Sequence, residues 1–327
     1  MGVNPHERLQ LPLVEQDLKR LEQLLADSVI VGDAYLDSVT THLIYAGGKR
    51  LRPLLALASA TLGERVASLE DLLGGVSAEL MHLASLYHDD VMDEAAVRRN
   101  VDSVNARYGN LVAIVAGDFL MARSAGIAAD LGTEVASLMA HTLAWLTRGQ
   151  VGEVRTAFSV ERTEEQYVRA IEGKTGSLMS ASCRVGALTA EHASEITAAL
   201  TEFGRCFGMV YQLRDDVLDL VDVNNELGKP AGQDLAEGIY TLPTLYALAD
   251  ATVGDELRGL LGAPLADADR ERARKLVVAT DGVERTVAMA DTYRRAAAEA
   301  LAVVPAAGLR EGFGRLIDSL VDGLPTA

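Results

Sequence analysis

The sequence predicts an all-α protein, and three observations carry that reading. Apolar residues recur at helical spacing along most of the chain. No run of alternating β-branched residues lies between turn signals. Alanine is abundant while aromatics make up only 5% of the residues, which suits closely packed helices. With 327 residues, 49% of them apolar and 24% charged, the chain can bury a sizeable core. Fixed-period repeats and low-complexity tracts are absent, and similar helices continue on both sides of every irregular stretch. Residues 1–327 therefore read as a single domain.

Taken in order, Val14, Leu18, Leu21 and Leu25 form one stripe of an amphipathic helix. A second helix is expected from Ala34 to Ala46, stopping at Gly47-Gly48. Pro53 suits the first turn of the next, PLLALASATLG, which ends at Gly63. Further helices are expected at 72–94, 111–130, 134–150, 164–172, 177–188, 194–222, 241–250, 284–303 and 308–322. The longest irregular stretch is NNELGKPAGQDLAEGIYTLP, at 224–243, and GAPLADADRE at 262–271 reads as a second loop.

Charge and cysteine content narrow the possibilities. Thirty basic against 47 acidic side chains leave a formal net charge of −17. That balance argues against a nucleic-acid partner and against adsorption to anionic membrane through a general basic surface. Cys183 and Cys206 are too few for a disulfide framework and fit no zinc spacing, so a reducing interior is expected. MGVNPHERLQ is no signal peptide, and no apolar run reaches the roughly 18 residues that span a bilayer. A cytoplasmic protein without an integral membrane segment is expected.

Two acidic knots need an explanation. HDDVMDEAAVRR, from His88 to Arg99, ends an almost uncharged stretch, and QLRDDVLDL lies at Gln212–Leu220. On a helix Asp89 and Asp93 share a face, with Asp90 about 100° round. Asp215, Asp216 and Asp219 repeat the geometry, with Gln212 one turn below. Like charges at this spacing work against their own helix by ~0.2–0.5 kcal/mol, so a counter-charge is expected. Oxygen donors without His or Cys select Mg²⁺ or a similar hard cation, which usually bridges carboxylates to phosphates. A phosphate or diphosphate is then the expected third party.

Fixed cations should accompany it. GGKRLRP sets Lys49, Arg50 and Arg52 after Gly47-Gly48, where the backbone could approach a ligand closely. Arg98 and Arg99 follow the first acidic motif. GKTG at 173–176 places Lys174 and Thr175 at a break that could turn both into a cavity. It is no P-loop, because Val168 stands where a glycine is needed and no strand precedes it. Lys229 lies in the long loop, and His82 sits two turns below Asp89 on nearly the same face.

GGKRLRP, DDVMDEAAVRR, GKTG, QLRDDVLDL and LGKPAGQDLAEG…TLP, in this order and at these separations, resemble the trans-isoprenyl diphosphate synthases from about residue 30 to 250. The resemblance implies a bundle of antiparallel helices around a deep central cavity, generally dimeric. It implies that a cluster of about three Mg²⁺ ions is held by Asp89, Asp93 and Asp215, with Asp90, Asp216 and Asp219 supporting. Arg98, Lys174, Thr175, Gln212 and Lys229 would contact an allylic diphosphate. Lys49, Arg52, His82 and Arg99, with Arg50 nearby, would bind isopentenyl diphosphate. The chain departs from the family at Asn100, often Gly, and at Ile239, often Lys. A non-catalytic subunit would be expected to lose the aspartates, and a terpene cyclase would not need GGKRLRP.

Helix geometry places Met81, Ala84 and Ser85 beneath the first acidic motif, with Tyr87 about 160° round from Asp89. Ala84 and Ser85 are small where short-product members carry aromatics, so the resemblance favours medium- and long-chain synthases that make quinone side chains. A large residue elsewhere, such as Met81, Phe119, Met121 or Trp145, would instead stop the product at geranylgeranyl length.

Overall fold

Capping residues set where the long helices begin, and the computed structural model describes residues 5–221 and 231–325. In order the helices are α1 (Pro5–Leu9), α2 (Pro12–Asp27), α3 (Ala34–Thr40), α4 (His42–Tyr45), α5 (Leu51–Thr61), α6 (Leu69–Met92), α7 (Val104–Tyr108), α8 (Asn110–Asp130) and α9 (Thr133–Arg155). They continue with α10 (Glu164–Ile171), α11 (Ser177–Thr189), α12 (Ser194–Val221), α13 (Gln233–Ala236), α14 (Leu242–Leu248), α15 (Gly254–Leu260), α16 (Asp267–Val278), α17 (Gly282–Ala300) and α18 (Ala307–Val321). Ser68 and Asp71 form a capping box at the start of α6, and Thr163 and Gln166 form another at α10.

The two longest helices, α6 and α12, end in the two acidic motifs. Helix α5 packs on α6, and α11 packs on α5, α6 and α12. The residues just before α5 and α11 meet the end of α12 in one cavity, so α5 and α11 run antiparallel to α12. Apolar faces of α2, α5, α6, α11, α12 and α17 fill the core. Stacked rings of Phe203 and Phe313, 4.2 Å between centroids, tie α12 to α18. Ser77 and Ser124 bond each other's carbonyl oxygens at 3.0 and 2.8 Å, fixing α8 against α6.

The structure departs from the expected elements in several places. The helix expected over 34–46 divides at Thr41, where the Thr40 and Thr41 hydroxyls bond back to the Leu36 and Asp37 carbonyls. The loop expected over 262–271 ends early, because α16 starts at Asp267 with i,i+3 pairs Arg270–Asp267 and Arg274–Glu271. A two-stranded hairpin, β1 (Val97–Arg98) and β2 (Val101–Asp102), was too short to show any alternation in sequence. Helix α8, 21 residues long, meets the length and composition of a membrane span, although no such segment was expected. Asp118 and Arg123 interrupt its apolar run, and its inner face is packed on α6.

Candidate active site

The cationic loop after Gly47-Gly48 lines a cavity of about 310 Å³ with Glu79, His82 and Arg99, facing Thr175, Met179, Tyr211 and Gln212. Lys49 is exposed there, 5.9 Å from the Tyr211 ring centroid. The Arg52 Nε is buried with no hydrogen-bond partner among the described residues. Burial and the guanidiniums of Arg52 and Arg99 hold His82 well below the usual imidazole range, leaving it neutral. Arg99 donates to the carbonyls of Leu43 (3.0 Å) and Gly47. A Cβ on Gly48 would lie 2.9 Å from the Arg99 Cζ. That glycine therefore makes room for an arginine of the same chain rather than for a ligand's approach. Arg50 lines the cavity too, but its donors are engaged by Glu22, by Glu79 (2.9 Å) and by the Ile44 carbonyl (2.9 Å).

Gln212 also lines a second cavity, about 150 Å³, with Glu153, Arg162, Tyr167, Lys174, Asp216, Asp234, Ile239 and Thr241. Here Thr175 donates to Gln212 at 2.9 Å, Gln212 donates to Asp216 at 2.9 Å, and Tyr167 donates to the other Asp216 oxygen. Burial pushes Asp216 up to about 7 despite these donors. Asp219 accepts from the backbone N–H groups of Gln233 (3.2 Å) and Asp234 (3.3 Å), which starts α13. Lys174 donates to Glu153 at 2.8 Å. GKTG is no helix break: it forms a single π turn, Glu172–Gly176, between α10 and α11. Such turns shift the helical register and recur at functional sites.

The first acidic motif faces Lys174. Burial pushes Asp89 up to about 6, with Lys174 opposing and Asp93 adding to the rise. Burial raises Asp93 too, with Lys174 opposing and Glu237 adding to the rise, and burial raises Asp215 against the opposing charges of Arg214 and Lys49. Asp90 is fully buried and accepts from Arg98 at 2.7 and 2.5 Å. The neighbouring turn Arg99-Asn100 has φ of 54° and 63°, the left-handed pair that a two-residue hairpin requires. Asparagine tolerates that region, which explains Asn100 where glycine was expected.

Among the described residues no three His, Cys, Asp or Glu side chains are grouped closely enough to hold a metal alone. The donor set still fits a hard cation, since carboxylates raised by burial favour one and a bridging phosphate can complete its shell.

Of the sequence-predicted residues, Lys49, Arg50, Arg52, His82, Arg99, Thr175 and Gln212 line the cationic cavity and Lys174, Gln212 and Asp216 the second, whereas Asp89, Asp90, Asp93, Arg98, Asp215 and Asp219 line neither; Lys229 lies outside the described residues. Met81 and Ala84 are packed in apolar clusters, and neither they nor Ser85 line the two cavities. Tyr87 points away from the site and donates to the Val39 carbonyl at 2.7 Å. Trp145 is 51% exposed on an outer groove of about 620 Å³ between α9 and α10, so it closes no inner tunnel. Sequence reasoning missed Glu79, Glu153, Arg162, Tyr167, Tyr211 and Asp234. Glu79 had a signal, a lone acid three residues before His82 in an apolar stretch.

A protein-family model described as polyprenyl synthetase matches residues 33–279. Nonaprenyl diphosphate synthase of Mycobacterium tuberculosis is 37% identical over 98% of this chain and 96% of that protein. Heptaprenyl diphosphate synthase component 2 of Geobacillus stearothermophilus is 36% identical over 86% of this chain and 87% of its own length. The crystal structure of a decaprenyl diphosphate synthase from Rhodobacter capsulatus matches with a TM-score of 0.90 at 32% identity, covering 98% of this chain and 99% of that one. With most of its length inside the family model, and with GGKRLRP, GKTG and QLRDDVLDL contributing to two adjoining cavities, this chain is a member of the polyprenyl synthetase family.

Proposed function

We propose that this chain is an (all-E) polyprenyl diphosphate synthase of medium to long product, hexaprenyl to nonaprenyl. It condenses isopentenyl diphosphate head-to-tail onto an allylic diphosphate in the cytoplasm, for a quinone side chain. One observation carries the reading: a cationic cavity and an acidic cavity adjoin at Gln212. The cationic cavity takes isopentenyl diphosphate through Lys49, Arg52, His82 and Arg99, with Arg50 nearby and Glu79 as the buried counter-charge. The acidic side takes the allylic diphosphate, with Arg98, Lys174, Thr175 and Gln212 in contact. Asp89, Asp93 and Asp215 would hold Mg²⁺, about three ions by resemblance, and Asp90, Asp216 and Asp219 would support them. When bound, Mg²⁺ supplies charge neutralisation of the leaving diphosphate.

The cations of both cavities orient the two substrates and stabilise the negative charge that gathers as the allylic C–O bond breaks and diphosphate leaves with the electron pair. The isopentenyl double bond then forms the new C–C bond, and a proton passes to the released diphosphate. Small residues at Ala84 and Ser85, and the names of the nonaprenyl, heptaprenyl and decaprenyl relatives, support a product longer than geranylgeranyl. Retention of all six motif aspartates supports activity without a second component. Leu111, Ile114 and Val115 on α8 and Val151 and Val154 on α9 are exposed and apolar, a face that a second copy would cover in a homodimer.

The purified protein is incubated with Mg²⁺, farnesyl or geranylgeranyl diphosphate, and isopentenyl diphosphate, and its products are measured by mass spectrometry. Elongation beyond 20 carbons is expected for wild type, and none for Asp89→Ala. Arrest at geranylgeranyl would assign the shorter product, and no elongation would make the chain a partner subunit.

A further inference from the structure

Arg162 is a buried cation without an ion pair among the described residues, and it lines the acidic cavity. It is only 6% exposed. Its Nη1 donates to the Tyr240 carbonyl at 2.9 Å, while its Nε is buried without an acceptor. A guanidinium carries five donors, and burying it with most of them unused is unfavourable unless something else completes the set. Of the carboxylates that line the cavity, two are already engaged, and Asp234 makes no ion pair with Arg162. Asp216 accepts from Tyr167 and Gln212, and Glu153 accepts from Lys174. Lys174 is the other cation on this wall. Ile239, next to the carbonyl that Arg162 holds, presents an apolar side chain to the same cavity. The guanidinium also lies 5.4 Å from the centroid of Tyr167, the ring whose hydroxyl positions Asp216.

We propose that Arg162 is a diphosphate-binding residue of the allylic site, supplying positive charge on the wall where Ile239 supplies none. This rests on the reading of the acidic cavity as the allylic diphosphate site. The occupant has the chemistry of a diphosphate, whose oxygens accept the two-pronged donors of a guanidinium.

Two measurements test it. Steady-state kinetics are taken on wild type, Arg162→Gln, and Arg162→Gln with Ile239→Lys; calorimetry follows binding of inorganic diphosphate with Mg²⁺ to each. Glutamine retains a donor for the Tyr240 carbonyl but no charge. Arg162→Gln should raise the KM for the allylic diphosphate about tenfold, leave the KM for isopentenyl diphosphate within about twofold, and weaken diphosphate binding about tenfold. The added lysine should recover most of both losses. Unchanged values, equal rises for both substrates, or no recovery by the lysine would overturn the proposal and leave Arg162 a counter-charge of the aspartates. If circular dichroism shows Arg162→Gln unfolded, Arg162→Lys decides: allylic KM within about threefold of wild type supports the proposal, and a rise of about tenfold overturns it. A wild type that binds diphosphate but turns over no allylic substrate would refute the enzymatic reading while calorimetry still tests Arg162.

Discussion

Gly149 on α9 and Gly173 in the π turn lie back to back, with no room for a side chain on either. A Cβ on Gly149 would fall 2.5 Å from the Lys174 amide nitrogen, and one on Gly173 would fall 3.0 Å from the Gly149 Cα. This contact brings Lys174 within 2.8 Å of Glu153 on the next turn of α9. Gly149→Ala should therefore destabilise the fold by about 2 kcal/mol and lower kcat by displacing Lys174. Gly152→Ala, whose Cβ would meet only the Ala170 methyl at 3.9 Å, should be nearly neutral. Urea denaturation and turnover rates compare the two.

Asp216 gives the site a pH dependence of definite sign. Its carboxyl is pushed up to about 7 by burial, above the ordinary 3.8. Without a bound cation the folded state favours the protonated form, so this group's contribution to stability is lost as pH rises from about 4 to 7. Asp216→Asn should remove that loss, becoming more stable relative to wild type as pH increases. Tyr167→Phe removes a hydrogen bond that favours the charged carboxylate and should move the midpoint upward. Diphosphate and Mg²⁺ binding, measured by calorimetry at pH 6, 7 and 8, should strengthen with pH, and the variant should need the higher pH.

Glu79 is the buried counter-charge of the cationic cavity, 2.9 Å from Arg50 and 3.9 Å from Arg99. Glu79→Ala should cost about 2 kcal/mol, because it leaves a donor of the buried Arg50 unpaired, with Glu22 as its remaining carboxylate. It should also raise the KM for isopentenyl diphosphate more than that for the allylic substrate. The double variant Arg50→Met with Glu79→Leu should lose less stability than the two single changes added together. Chemical denaturation of the four proteins gives the coupling.

Asn100 should tolerate glycine and resist a β-branched residue. Its φ of 63° costs glycine nothing, whereas valine there should destabilise by about 2 kcal/mol and raise the KM of both substrates. An Asn100→Val enzyme with wild-type constants would show that the hairpin does not position the arginines beside it.

Product length should respond to Ala84, which is fully buried on α6 one turn and one residue below Asp89. Ala84→Tyr is expected to shorten the product, by mass spectrometry, without loss of the first condensation. Met81→Ala should not shorten it.

The long helices were legible because each carries a continuous apolar stripe, as Val14, Leu18, Leu21 and Leu25 do in α2. Helix α16 was not, since DADRERARK has too few apolar residues to announce a buried face and is held by ion pairs instead. The aspartate motifs stood out because clustered carboxylates oppose the helices that bear them. Tyr167 and Glu153 did not: in sequence each is an ordinary residue of an amphipathic helix, and only packing brings them to Asp216 and Lys174. Arg162 was hidden for the same reason, one residue ahead of a capping threonine and 78 positions from the carbonyl it holds.

The hairpin has one more role. Arg98 is gripped by Asp90 and Arg99 by the carbonyls of Leu43 and Gly47, so a single peptide unit would span the two proposed diphosphate sites. Consecutive Cα atoms across a trans peptide are about 3.8 Å apart whatever the rest of the chain does. On the proposed function the hairpin would act as a fixed ruler between two reactants. Chain growth would change the length of the tail behind one of them, while the gap between their heads stays constant from the first cycle to the last.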